Sequence, residues 1–427
     1  MQNRRDFMRN AALCGITASL STLPAFRAHA QDVMRLFWWG PQGRAQRTLA
    51  VAKLYNSRNA DVRINGEAGG SDYWTKLTTM MAGGNAPDIF QLEPSRFADY
   101  SRRSTNLPLN DYVGDIIRTD KLSPGVMDLG TVDGKITGIP LSLNAFAMFY
   151  DTEAFEKAGI APPTRKTTWD DFARMCIDLT KAVDKKNVWA VSNGARYSYA
   201  LQAFLEQRGK QIYSAEGGIG FDLKDAEDWY GYWDSLDKAG GCVGAEIQAL
   251  DKSNVDSNPM TRGNSLIVLG FSNQLTAYQA VVKSRLAIST LPVTSPDGPS
   301  GHFYRPGLLW SIAPTAKKPE LAAQFIDFFI NDVEAGKILD VERGVPVNED
   351  VKSAVLPLID ESARTTVEYV DSLKDWVIPN PPVVPLGATE FDERVLRPIA
   401  DWVAFGKRTP KEAAAEVVSS AKRILRG

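Results

Sequence analysis

The stretch that decides the fold begins Arg35-Leu36-Phe37-Trp38-Trp39-Gly40-Pro41-Gln42-Gly43. It continues through Asp72-Tyr73-Trp74-Thr75-Lys76-Leu77 to Gly83-Gly84-Asn85-Ala86-Pro87-Asp88-Ile89. Arg35–Trp39 reads as a strand stopped by Gly40-Pro41, with a helical stretch following to Ser57 and a second strand at Asp61–Asn65. Ser71 is the expected cap of a helix that sets Trp74, Leu77 and Met81 on one face and ends at Gly83-Gly84. Pro87 then introduces a third strand, Asp88–Leu92. Strand, helix, strand, helix, strand in this order implies a parallel sheet covered by helices.

Downstream the pattern recurs. Ile136–Pro140, Phe146–Tyr150, Val188–Ser192, Ser265–Leu269 and Leu286–Thr290 read as strands. Thr168-Trp169-Asp170-Asp171 is a capping-box start for a helix with Phe172, Met175, Cys176 and Leu179 on one face. Pro319 opens a helix carrying Leu321, Phe325 and Phe328, and Thr409-Pro410-Lys411-Glu412 opens the last one. There is no internal repeat and no flexible linker, so two α/β lobes would have to be connected by more than one crossing of the chain.

The chain has 427 residues, suited to two or three domains. Residues 1–30 read as an export signal: Arg4-Arg5 before Phe7 resembles a twin-arginine leader, and Ala28-His29-Ala30 supplies a cleavage site. These residues hold four of the 49 Lys and Arg and one of the 51 Asp and Glu, which leaves 45 basic and 50 acidic residues and a net charge of −5. That excludes a basic field for nucleic acid. Beyond the leader only His302, Cys176 and Cys242 remain of the two histidines and three cysteines, with no CxxC. A multi-histidine metal centre is excluded, a histidine relay has little to work with, and no cofactor is expected. Cys176 and Cys242 are expected as free thiols. A soluble periplasmic monomer that binds rather than transforms its ligand is the expectation.

In order along the chain, these motifs resemble the extracellular solute-binding proteins (family 1) of ATP-binding cassette importers, the maltose-binding-protein-like group. The resemblance rests on Trp38-Trp39-Gly40, on Asp72–Leu77 leading to Ala82–Ile89, on Gly138-Ile139-Pro140 and on Phe149-Tyr150-Asp151. It extends through Phe155, Ala158-Gly159-Ile160, Pro162-Pro163, Thr168–Phe172, Arg262-Gly263, Ala322–Asn331 and Arg343-Gly344-Val345-Pro346. It implies a periplasmic-binding-protein fold of type II: two α/β lobes joined by crossing strands, with ligand in the cleft between them. Lobe 1 would comprise 31–143 and 292–345, and lobe 2 would comprise 144–291 and 346–427. The crossings would fall near Leu141–Asn144 and Leu291–Val293. A small-molecule ligand and the membrane permease of an importer are the implied partners.

Ligands of open α/β sheets sit beyond the carboxyl ends of strands. The loops there offer Trp38, Trp39, Gln42 and Arg44 after the first strand; side chains alternate, so one of the two tryptophans is expected in the core, and Trp39 is favoured for the cleft. Glu93 follows the third strand, and Asn144 lies at the first crossing. Asn193, Arg196, Tyr197 and Tyr199 follow Val188–Ser192. Phe271 follows Gly270, Arg305 and Gly307 precede Leu308–Ile312, and Trp376 lies in a proline-rich late loop. Trp74, Trp169 and Trp229 are assigned to packing. Flat aromatic faces with planar polar partners suit sugar rings, whose C–H faces stack and whose hydroxyls need multidentate bonds. A glycerol phosphodiester would suit Arg44, Arg196 and Arg305. A polyamine finds chiefly Glu93, iron finds only Tyr197 and Tyr199, and a carboxylate-pair glycosidase has no motif of its own.

Overall fold

The computed structural model describes residues 31–252 and 254–425; the export leader expected at residues 1–30 lies outside the described residues. The strands are β1 (Asp32–Trp39), β2 (Val62–Gly69), β3 (Ile89–Leu92), a hairpin of β4 (Thr131–Val132) and β5 (Lys135–Ile136), β6 (Ile139–Pro140) and β7 (Ser142–Asp151). There follow β8 (Trp189–Val191), a hairpin of β9 (Gln211–Tyr213) and β10 (Ile219–Gly220), β11 (Ser265–Phe271) and β12 (Leu286–Ser289). The last are β13 (Tyr304–Pro306), β14 (Leu309–Ile312) and β15 (Val345–Pro346).

Among the described residues one sheet has the order β2-β1-β3-β14-β6, parallel across β2, β1 and β3 and antiparallel at β14 and β6. Its first strand shows no alternation at Leu36-Phe37-Trp38, where all three are buried. Helices on both faces explain this. Trp38 packs with Val51 and Tyr55 of helix Gln42–Arg58, and Phe37 with Tyr73 and Leu77 of helix Tyr73–Ala82.

The second sheet runs β12-β7-β11-β8, with β13 and β15 on the early part of β7. Its core is rich in tryptophan. Trp229 meets Trp169 edge-on at 6.0 Å and Trp233 at 5.9 Å. The indole Nε1 of Trp169 donates to Gln207 Oε1 at 2.8 Å, and that of Trp229 to the Ala195 carbonyl at 3.2 Å, so these polar edges are buried without loss.

Both expected capping boxes form, Thr168 with Asp171 and Thr409 with Glu412. Ser71 is not a cap. The turn in which Tyr73 N donates to the Gly70 carbonyl shifts the start so that Asp72 takes the cap position, and its carboxylate pairs instead with Lys76 at 3.0 Å. Ile136–Pro140 is not one strand, because Thr137 and Gly138 both turn their N–H groups to the Gly130 carbonyl. In helix Pro319–Asn331 the buried face is Ala322, Phe325, Ile326 and Phe329, rotated from Leu321 and Phe328, which stay half-buried.

The two sheets are joined where chain segments change partner. Pro140 pairs with Leu309 in the first sheet, and Ser142 already pairs with Pro346 beside β7. On the return, Pro306 pairs with Leu143 and Leu309 with Leu92. The second passage by strand pairing therefore lies at Pro306–Leu309, downstream of the expected Leu291–Val293. Val293 is instead held by backbone bonds to Thr167 and Trp169 on the second-sheet side.

The joint is tight. Ser142 Oγ and Asn144 Nδ2 both donate to the Arg343 carbonyl, at 2.6 and 3.2 Å. A Cβ on Gly344, whose φ is +125°, would lie 2.5 Å from Asn144 Oδ1. Gly344→Ala is therefore expected to lower the melting temperature more than Thr409→Ala, since a cap of this kind is worth about 1 kcal/mol. Thermal melts of the two variants beside the parent check this.

Candidate functional site

Strand register, not sequence proximity, assembles the site. Phe271 ends β11 directly opposite Phe146 of β7, and two residues earlier on β7 Asn144 pairs with Arg305 of β13. The carboxyl end of β11 thus meets the early part of β7 and β13 on one edge. Tyr199, at the start of helix Ser198–Glu206, completes the group. Tyr199 and Phe271 meet edge to face at 4.7 Å, Phe146 and Phe271 at 5.2 Å, and Phe146 lies nearly parallel to Tyr199 at 5.9 Å. The Arg305 guanidinium stands over the Phe271 ring at 4.2 Å and the Tyr199 ring at 4.7 Å, within cation–π reach of both. With His302 and Phe303 these residues line a narrow recess. Phe146 is held in place by helix Glu361–Ser372, whose Tyr369 hydroxyl donates to its carbonyl at 2.8 Å.

A second aromatic group sits at the carboxyl ends of β1 and β3. Trp39 packs on Trp74 at 4.7 Å and on Tyr73 at 4.8 Å, and Trp74 reaches Tyr100 at 6.0 Å. Arg96 covers Trp74 at 4.7 Å while pairing with Glu93 at 3.0 Å. Tyr73 is buried and donates to the Gln91 carbonyl at 2.7 Å, which leaves Trp39 and Trp74 as the half-buried faces.

Of the residues expected to contact ligand, the structure brings Tyr199, Phe271 and Arg305 together around one recess, and Trp39 and Glu93 around the other group. The others are placed differently. Trp38 is fully buried in the core, because the alternation that turns Trp39 outward turns it inward. Gln42 is exposed at the first turn of its helix. Arg44 is bidentate to Glu342 at 2.9 and 3.0 Å, so its charge is already answered. Asn144 is buried in the joint and committed to the Arg343 carbonyl, with Ser272 Oγ donating to its Oδ1 at 3.4 Å. Gly307 belongs to the same joint; a Cβ there would lie 2.1 Å from the Arg343 carbonyl oxygen.

Asn193 caps the turn Gly194–Arg196 by accepting from Ala195 N at 3.0 Å. Arg196 donates to the carbonyls of Gln248 and Asp251 and pairs with Asp401 at 3.1 Å. The Tyr197 hydroxyl bonds Asp251 at 3.2 Å. Trp376 is stacked on His302 at 5.2 Å with Arg165 over its ring at 5.4 Å, so it completes packing.

Phe146 and Phe303 join the recess without a signal in the sequence. Trp74 packs on Trp39 and Tyr73, in keeping with its helical spacing, and is half-buried at the helix edge that meets Trp39. Phe146 sits inside a strand, and only the pairing with Phe271 reveals it.

His302 is buried, its Nε2 accepting from Leu291 N at 3.1 Å and its Nδ1 set at 3.1 Å from the Ser300 carbonyl. Burial lowers its pKa to about 4, so it stays neutral beside the recess. Cys176 and Cys242 are free and buried, and desolvation raises both thiols. Among the described residues no group of three or more His, Cys, Asp and Glu is arranged to hold a metal, and no helix is long and apolar enough to cross a membrane.

Two sheets of mixed α/β build, joined by short crossings with aromatic and polar side chains at their carboxyl edges, define a two-lobed binding protein. The chain belongs to the bacterial extracellular solute-binding protein family, whose model matches residues 50–363. Its fold is that of the type II solute-binding proteins. A solved extracellular solute-binding protein family 1 from Alicyclobacillus acidocaldarius is similar at 29% identity and a TM-score of 0.76, covering 93% of this chain and 99% of that one. The arabinooligosaccharide-binding protein of Halalkalibacterium halodurans is 27% identical over 35% of this chain, and the match spans 32% of that relative. The maltodextrin-binding protein of Bacillus subtilis is 21% identical over 80% of this chain and 78% of its own length.

A histidine with a lowered folded pKa takes up its proton more readily when unfolded. Its contribution to stability is complete above about 6.5 and is lost as pH falls toward 4. Asp237, raised to about 6 by burial, has the opposite slope within that window. His302→Gln is therefore expected to melt with a smaller loss between pH 6.5 and 5 than the parent, read as the difference between the two melting curves at each pH.

Proposed function

We propose that this chain is a periplasmic receptor that captures a carbohydrate between two lobes and delivers it, chemically unchanged, to the permease of an ATP-binding cassette importer. The lobes would be 31–143 with about 307–345 and 144–306 with 346–427, the strand pairings favouring Pro306–Leu309 over Leu291–Val293 as the place where the chain returns. The protein would act as a monomer, and the reading is of a receptor rather than an enzyme.

One observation carries the reading. Half-buried aromatic rings gather at the carboxyl edge of each sheet, Trp39 and Trp74 on the first and Tyr199 and Phe271 on the second. Such rings present flat apolar faces next to polar groups, the combination that a sugar's C–H face and hydroxyls require. The family membership and the names of the two sugar-binding relatives support it. Drawing the edges together would bury a ligand on both sides, and the ligand would favour the closed state by its added contacts there.

A thermal-shift screen of mono- and oligosaccharides tests the proposal. A true ligand at 100 times its dissociation constant adds about 2.7 kcal/mol to stability and is recovered unaltered from the complex. Phe271→Ala and Trp39→Ala are expected to weaken that ligand about 10-fold or more in titration calorimetry while leaving the free protein folded. Hydrolysis of the sugar, or unchanged affinity in both variants, would sink it.

A further inference from the structure

We infer that the captured saccharide is acidic and that Arg305 binds its carboxylate, an inference that rests on the carbohydrate reading above. Of the three arginines the loops offered, two are already satisfied. Arg44 is bidentate to Glu342, and Arg196 is held by Asp401 and two backbone carbonyls. Arg305 differs. Among the described residues no carboxylate is placed within ion-pair distance of it, and its Nε, like that of Arg196, is buried without a hydrogen-bond partner, but with no acidic side chain such as Asp401 beside it.

Its backbone is fixed by pairing with Asn144, and its guanidinium rests on the faces of Phe271 and Tyr199. Taking a cation into an aromatic recess without a counter-charge is unfavourable unless something else supplies the anion. The two rings recover part of that cost through their negative faces and hold the planar fork in one orientation, with its N–H edges free for a carboxylate. His302, which could otherwise add a second positive charge to the recess, is held neutral by burial. A neutral sugar would leave this cation unanswered, whereas a uronic acid residue stacked on the same rings answers it.

The test uses the full exported chain and a panel of uronic-acid disaccharides, each beside its carboxyl-reduced neutral counterpart, with inorganic phosphate alone as a further probe. The expected result is that at least one acidic disaccharide binds about 10- to 100-fold more tightly than its reduced partner, the range for a hydrogen-bonded charge. In Arg305→Met the ratio is expected to collapse toward one, and Arg305→Lys is expected to retain part of it. Melting temperatures confirm that each variant is folded, and if the Met variant binds neither sugar, the Lys variant decides by its ratio.

Equal affinity for acidic and neutral partners, a preference for neutral sugars, or a preference unmoved by Arg305→Met would overturn the inference and leave the carbohydrate reading standing. Saturation by phosphate alone at micromolar concentration would overturn it in favour of a free anion. Failure of every saccharide, acidic or neutral, counts against the carbohydrate reading itself.

Discussion

The pairing of strand Ser142–Asp151 along its whole length is the constraint on which the rest depends. Its early residues bond β13 and β15, and its later ones bond β11 and β12. Buried backbone groups must be paired, so a shift of one residue would expose a row of donors and invert every side chain on the strand. Register therefore fixes three things together: Asn144 in the joint, Phe146 opposite Phe271, and Arg305 beside Asn144. The joint itself is crowded. Ser142, Asn144 and the Arg343 carbonyl meet where Gly307 and Gly344 leave no room for a side chain. Arg343 is buried there too, its pKa lowered to about 9 by desolvation, with Nη2 donating to Thr48 at 2.8 Å.

Two kinds of information were legible in the sequence. The strand–helix alternation from Arg35 to Leu92 was readable because each element carries its own local signal: apolar runs, a proline before a strand, glycines after a helix. Both Thr-x-x-Asp/Glu capping boxes were readable because the whole interaction spans four residues. What depended on tertiary partners was not readable. Ser71 looks like a cap until the Gly70–Tyr73 turn is known. The core face of helix Pro319–Asn331 is set by which neighbour it packs on, and small Ala322 and Ala323 serve that face as well as the larger Leu321 would.

The candidate site divides in the same way. Alternation along β1 puts Trp38 and Trp39 on opposite faces, a local property of any strand, but which face is more covered depends on the helices packed there. Nothing local separates Arg44 and Arg196 from Arg305. Glu342 lies 298 residues from Arg44, and Asp401 is also far from Arg196 along the chain, so the three look alike in sequence and differ only in what the fold places beside them. Asn144 and Asn193 are engaged within the protein for a related reason. An amide that bonds backbone groups inside the protein has little left to offer a ligand, and both sit where the chain needs such a bond.

The two aromatic groups are not equivalent, and the difference bears on how a ligand would lie. On the first sheet the cation over Trp74, Arg96, is balanced by Glu93, so that platform is close to neutral. On the second sheet the cation over Tyr199 and Phe271 has no such balance. A platform of balanced charge discriminates by shape and by hydroxyl position, because its apolar faces accept any ring that stacks. A platform with an unanswered charge discriminates by sign. If the two close on one ligand, as proposed, a saccharide bearing one acidic residue would have a single favourable polarity, with the acid toward Arg305 and the neutral rings toward Trp39. A ligand of reversed polarity would bury its carboxylate against indole faces and leave the guanidinium unpaired, an arrangement unfavourable at both ends.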